Sequence, residues 1–211
     1  MTRRYESPRR SAQAAATERS IVDAAHRLVL EQGYGATSIS QIATAAGVSA
    51  QTVYNGFGTK AALVKRVYDV VLVGDAEAVP VADRPDYEAL FADPDPATFL
   101  EQWVHLNREV TERVGPLLRV LAAGATSGDE ELRQFITTVD DERLVGVTQM
   151  ANRLKALKAL KRGTTVERAR DEIWALTGVE LHDLLVTKRG WTPTELERWQ
   201  VTTIRTAVLV P

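Results

Sequence analysis

The 211-residue chain has no cysteine, few aromatic residues (6%) and only three histidines. Without cysteine there is no disulfide, no thiolate zinc ligand and no thiol nucleophile. The histidines form no His-x-x-x-His or Glu-x-x-His pair, which argues against a metal site. They also offer no basis for a Ser-His-Asp arrangement, so no catalytic residue is assigned and no enzyme is expected. No apolar run approaches the roughly 20 residues of a membrane span. The opening segment MTRRYESPRRSAQAAA is basic but lacks the apolar stretch of a signal peptide. The expectation is a cytoplasmic protein without membrane association, metal or cofactor.

Charge of either sign is not scarce, but it is unevenly placed. The chain carries 26 Lys+Arg and 28 Asp+Glu, a net charge of −2. Residues 1–68 hold nine bases against four acids, a surplus of +5 that leaves −7 for the remainder. A small basic part on an acidic body suggests that the small part meets a polyanion.

Apolar spacing is helical throughout, and no stretch alternates as a strand would. Residues 1–16 hold Pro8 and four arginines without apolar periodicity, and read as a disordered arm. Ile21, Ala24, Ala25, Leu28 and Val29 recur at helical spacing, with Gly33 and Gly35 as stops. Ser38 to Gln41 fits a capping box opening a short helix that Gly47 breaks. Ser49 caps another short helix, expected to end at Gly56 and Gly58, and Thr59 caps a longer one. Pro80, Pro85, Pro94 and Pro96 mark a linker or ordered loop. Further helices are expected at about 97–114, 117–123, 130–160, 166–188 and 193–209, with breaks at Gly115-Pro116 and Gly163. The fold class is all-α with roughly nine helices. It divides into an arm (1–16), a helix-turn-helix domain (17–67) and a larger helical domain (68–211).

Two short helices across a glycine turn make a helix-turn-helix unit. A major groove admits one α-helix, and the second helix of the pair enters it. That helix needs an apolar back and short polar residues outside. Val53 supplies the back; Ala50, Gln51, Thr52, Tyr54 and Asn55 populate the exposed side. Gln and Asn present donor and acceptor together, matching adenine's edge, and Thr can set its methyl on thymine. Tyr54 is long enough to reach a phosphate. Lys60 opens the next helix, where a phosphate meets both an ammonium and a positive helix end. Thr37 and Ser38, at another helix start, can hold a second phosphate. Asn55 to Lys60 faintly echoes a phosphate loop, but without its spacing or preceding strand.

The run Gly33-Tyr34-Gly35-Ala36-Thr37-Ser38-Ile39-Ser40-Gln41-Ile42-Ala43, then Ala46-Gly47-Val48-Ser49, Thr52-Val53-Tyr54-Asn55-Gly56-Phe57 and Lys60, resembles the DNA-binding region of TetR-like (tetracycline-repressor-like) regulators. The resemblance covers about residues 17–67. It implies a nearly all-helical homodimer that binds a palindromic double-stranded DNA operator, usually as a repressor, and leaves it when a small molecule enters the larger domain. It also implies that Thr37, Ser38, Tyr54 and Lys60 hold phosphates and that Ala50, Gln51, Thr52 and Asn55 face the groove. Gly56 stands where many members carry His or another large side chain. That departure favours an alternative, a small-molecule-binding helical protein with weakened or absent DNA readout.

The segment from Ile173 to Val186, followed by Arg189-Gly190-Trp191-Thr192, resembles the last helices of that family, which pair with their copies in a dimer. On that reading Thr177, Leu181, Leu184, Trp199 and Thr203 lie at a dimer interface. Phe99, Trp103, Leu106, Phe135, Met150 and Trp174 are large apolar side chains on separate expected helices, and Asn107 is a sparse polar anchor among them. Together they are candidate walls of an effector pocket.

Overall fold

The computed structural model describes residues 8–74 and 85–210. The chain is all-α: α1 (Pro8–Gln32), α2 (Ile39–Ala46), α3 (Ala50–Phe57), α4 (Lys60–Val73), α5 (Pro85–Ala92), α6 (Pro96–Thr126), α7 (Glu130–Ala156), α8 (Val166–Leu176), α9 (Val179–His182) and α10 (Pro193–Val208). A π-helical segment, Asp183–Thr187, continues α9. The only extended pairing among the described residues is one antiparallel bridge between Leu160 and Leu209. No described helix is long and apolar enough to cross a membrane.

The residues divide into two compact units, 1–76 with 116–136 and 77–115 with 137–211. The first unit therefore takes in residues 116–136, which sequence alone assigns to the larger domain. In this unit α1 contacts both α2 and α4, and α2 contacts α3. Ile21, Ala25, Val29, Ile42, Val53, Leu63, Val64 and Val67 are buried there, as helical spacing requires. The hairpin of 116–136 closes tightly at Gly124, where an added Cβ would sit 2.4 Å from Leu132 Cδ1. Phe135 meets Tyr68 edge-on, with ring centroids 5.6 Å apart.

The second unit has its own core around Phe99, Leu100, Trp103, Val104, Met150, Leu154, Ile173 and Ile204. The break after α8 is held by side chains from three other helices. Arg143 donates to the carbonyl of Trp174 (2.9 Å), Gln200 to Leu176 (2.7 Å) and Asn107 to Thr177 (3.2 Å). Side chains from α7, α10 and α6 thus satisfy three carbonyls that the end of a helix leaves without partners.

Several boundaries differ from the sequence reading. Helix α1 begins at Pro8, so residues 8–16 are helical rather than a structureless arm, while 1–7 lie outside the described residues. Alanine-rich Ala12–Ala16 carries high helix propensity, and proline is tolerated in a first helical turn. Residues 85–92 of the expected linker form α5, while 75–84 also lie outside the described residues. Helix α6 runs unbroken through Pro116. Proline inside a helix costs about 3 kcal/mol. Burial of Val114, Leu117, Leu118 and Leu121 on both sides of it offsets that cost. Conversely, the helix expected over 166–188 breaks at Thr177-Gly178. Gly178 is buried, and a Cβ there would come within 2.6 Å of the Glu180 carboxylate.

Candidate nucleic-acid interface

The candidate interface lies in the first unit around three capped helix starts, at Ser38, Ser49 and Thr59. Ser38 caps α2: its hydroxyl accepts from Gln41 N–H, and Gln41 Oε1 accepts from Ser38 N–H at 2.8 Å. Gly47 ends α2 in the left-handed region at φ 68°, a conformation glycine adopts without strain. Ser49 then caps α3 by accepting from Thr52 N–H (3.1 Å). Ser20 of α1 donates to the Ala46 carbonyl (3.2 Å), fixing the turn from outside.

Helix α3 has the expected division. Val53 is 1% exposed; Gln51, Thr52, Tyr54 and Asn55 are exposed, and Ala50 is half-buried. The outward amides are joined: Gln51 Nε2 donates to Asn55 Oδ1 at 2.8 Å. Thr52 differs from these neighbours. Its hydroxyl lies 2.8 Å from that of Ser49, and it lines a groove of about 780 Å³ with Gly56, Phe57 and the α1 residues Ala14 and Ile21. Thr52 therefore stands at the flank of the polar face rather than its centre. Gly56 lies inside α3 instead of ending it; Gly58 is the cap, at φ 75°. A Cβ at Gly56 would meet nothing within 4 Å, so the helix end is open where a larger residue would stand.

The residues expected to hold phosphates divide. Ser38 is exposed at the start of α2. Thr37 is not available: it is 1% exposed, and its hydroxyl donates to the Gly33 carbonyl at 2.8 Å and accepts from Gln32 Nε2 at 3.2 Å. A buried hydroxyl with its partners inside the loop cannot also meet a phosphate, so the expectation for Thr37 is corrected to a structural role. Lys60 is half-buried. Its ammonium donates to the carbonyls of Tyr34 (3.0 Å) and Thr37 (3.1 Å) and lies 3.8 Å from the centroid of the Tyr34 ring. Two of its three N–H donors thus tie down the α1–α2 loop, leaving one for an outside anion. Tyr34 is itself anchored by donating to Glu131 at 3.4 Å. Burial, then the nearby Glu131 and Asp129 carboxylates, push its hydroxyl pKa up to about 12. Tyr34 and Gln32 escaped the sequence reading as site-building residues. The glycine-flanked aromatic at 34 was the available signal, but the Lys60 tether needs tertiary contact to be seen.

In the second unit Phe99, Trp103 and Met150 belong to one core cluster, with Leu106 and Trp174 packed against it. Phe135 does not join them; it belongs to the first unit, on the Tyr68 ring. Its helix α7 continues from one unit into the other, so helical membership alone placed it wrongly. Asn107 is engaged with the Thr177 carbonyl, and Arg143 lies 4.1 Å over the Trp174 ring. Of the expected interface residues, Leu184 is 49% exposed, while Leu181, Trp199 and Thr203 are half-buried. Thr177 is corrected: it is 1% exposed, and its hydroxyl donates to the Ile173 carbonyl (2.7 Å), so it faces the interior of its own chain. No cluster of three or more His, Asp or Glu able to hold a metal occurs among the described residues.

Residues 21–67 match the family model described as bacterial regulatory proteins, tetR family. A relative from Bacillus subtilis (strain 168), the HTH-type transcriptional regulator YdeS, is 31% identical over 122 residues. That match covers 58% of this chain and 56% of the relative, so the alignment spans about half of each protein. Among solved structures, NalD from Pseudomonas aeruginosa, the secondary repressor of the MexAB-OprM multidrug efflux pump, aligns with a TM-score of 0.67 at 21% identity. The alignment covers 92% of this chain and 96% of NalD. The transcriptional regulator FadR from Bacillus subtilis, in complex with stearoyl-CoA, aligns with a TM-score of 0.68 at 18% identity. It covers 89% and 97% of the two chains. At these identities the solved structures share the fold. The matched segment, residues 21–67, spans the capped α2–turn–α3 unit and its exposed polar face, and it is there that the chain is similar to the tetR family of bacterial regulatory proteins.

Proposed function

We propose that the protein is a DNA-binding transcriptional regulator that binds a palindromic operator as a homodimer and is released by a small molecule. The observation that carries this reading is α3: a capped helix, held by buried Val53, that exposes Gln51, Tyr54 and Asn55. Such a helix fits the major groove, while the remaining donor of Lys60 is suited to a flanking phosphate; exposed Ser38 meets one by exchanging its hydroxyl bond to Gln41 Oε1. Two copies related by a two-fold axis must meet half-sites about 34–36 Å apart, or multiples of that spacing. Leu181, Leu184, Trp199 and Thr203 are the surface from which such pairing is drawn. The effector would be received in the second unit near Phe99, Trp103, Leu106, Asn107, Met150 and Trp174, and would act on the reading unit by shifting α4, the helix that follows α3. The stearoyl-CoA bound by FadR and the repressor role of NalD support a ligand-released repressor. Allosteric coupling of this kind is typically about 1–3 kcal/mol.

The test is a gel-shift and size measurement on the full chain with DNA from upstream of its own gene. Retardation competed by unlabelled site but not by random DNA, from a dimeric protein, is expected. A strictly monomeric protein, or no site recovered from random duplexes, overturns the reading. The second outcome favours a ligand-binding protein without readout, for which the bare helix end at Gly56 is the supporting observation.

A further inference from the structure

The outward face of α3 carries two primary amides four residues apart, and they are bonded to each other rather than separately solvated. Gln51 Nε2 donates to Asn55 Oδ1 at 2.8 Å, and both side chains are exposed. A glutamine amide has two N–H donors and an acceptor oxygen. After this bond Gln51 keeps Oε1 and one N–H, the combination that matches N6–H and N7 of adenine. Asn55 keeps both N–H donors, while its oxygen is turned towards Gln51 with one of its two lone pairs taken. Asn55 therefore meets a base chiefly as a donor, which suits a purine N7 or thymine O4 and disfavours the N4 amino edge of cytosine.

The bonded amide ends lie 2.8 Å apart, within the roughly 3.4 Å spacing of bases on one strand. The two amides thus address neighbouring base pairs. Because each holds the other's rotamer, ordering that free side chains would lose on association is already in place. On the reading of α3 as the groove-entering helix, we propose that Gln51 and Asn55 read one base step as a single hydrogen-bonded unit. Gln51 takes adenine, and Asn55 donates to the adjoining base and disfavours cytosine. Each preference weakens when the bond between the two side chains is lost.

The experiment is selection from random duplexes, followed by competition titrations of single-base site variants. It uses the full chain as wild type, Gln51→Ala, Asn55→Ala, Asn55→Asp and the double alanine variant. Both side chains are on the surface, so unchanged melting temperatures establish that the variants fold. Wild type should prefer adenine at one position by about tenfold or more. Asn55→Ala should reduce that adenine preference at least threefold while also admitting cytosine next to it. Asn55→Asp keeps the acceptor for Gln51 and lacks the donors, so adenine preference should persist while the neighbouring preference goes. Gln51→Ala should weaken both preferences, and the double variant should lose little beyond either single change. Independent, additive loss at two separate positions overturns the coupling while leaving DNA binding intact. So does an adenine preference that follows Asn55 alone. Failure of the wild type to enrich any site overturns the reading of α3 itself, and this inference with it.

Discussion

Removing the Lys60 ammonium tests how the interface is held. In Lys60→Ala, two carbonyls of the α1–α2 loop lose a charged donor, and the Tyr34 ring loses a cation at 3.8 Å. Hydrogen bonds to charged groups contribute about 1.5–3 kcal/mol each, and a cation over a ring about 0.5–1 kcal/mol at an accessible site. The group is half-buried, so water replaces part of each bond in the variant. A net loss of about 2 kcal/mol is expected. For a chain of this size that is a fall in melting temperature of roughly 4–8 °C, and a lower urea midpoint at unchanged slope. Salt titration of DNA binding separates the second role. If the remaining N–H meets a phosphate, the slope of log affinity against log salt should shrink by about 0.9. A variant as stable as the wild type to within about 0.3 kcal/mol would refute the tether. A stable protein with a reduced slope would make Lys60 a phosphate holder alone. Met at this position keeps the aliphatic stem without the charge, and should lose nearly as much stability as Ala.

Three further outcomes follow from neighbouring contacts. Thr37→Val keeps the shape but removes the buried hydroxyl; it should cost about 1 kcal/mol in urea unfolding and leave the salt slope at the wild-type value, whereas a reduced slope would restore a phosphate role. Gly124→Ala places a Cβ against buried Leu132 and should destabilise by about 1–3 kcal/mol, despite alanine's better helix propensity; a raised melting temperature would refute the close crossing. The Tyr34 hydroxyl ionises at about 12 when folded, against an ordinary value of about 10. Its contribution is fully present below pH 10 and is lost as pH rises towards 12, because the unfolded chain gives up the proton first. Urea midpoints should therefore fall over that window, and Tyr34→Phe should fall less steeply.

Local chemistry was legible wherever neighbours along the chain decide the outcome. The caps at Ser38, Ser49 and Thr59, the glycine stops at 47 and 58, and the buried side of α3 at Val53 depend on contacts within a turn or two. The resemblance over residues 17–67 rests on the same closely spaced positions. Legibility ended where distant segments compete. Pro116 reads as a break, yet apolar burial on both sides keeps α6 continuous. Thr177 reads as part of an outward stripe, yet it turns inward, next to a helix break capped from three other helices.

The amino-acid order by itself determined the helical class, the helix-turn-helix and the polar composition of its second helix, because spacing and capping operate over three or four residues. Tertiary structure alone decided which of those polar groups are free. It buried Thr37, turned Lys60 onto two loop carbonyls, and assigned Phe135 to the first unit rather than the second. Whether a donor faces solvent or a carbonyl 23 or 26 residues away is set by the packing of whole helices, which no local pattern encodes.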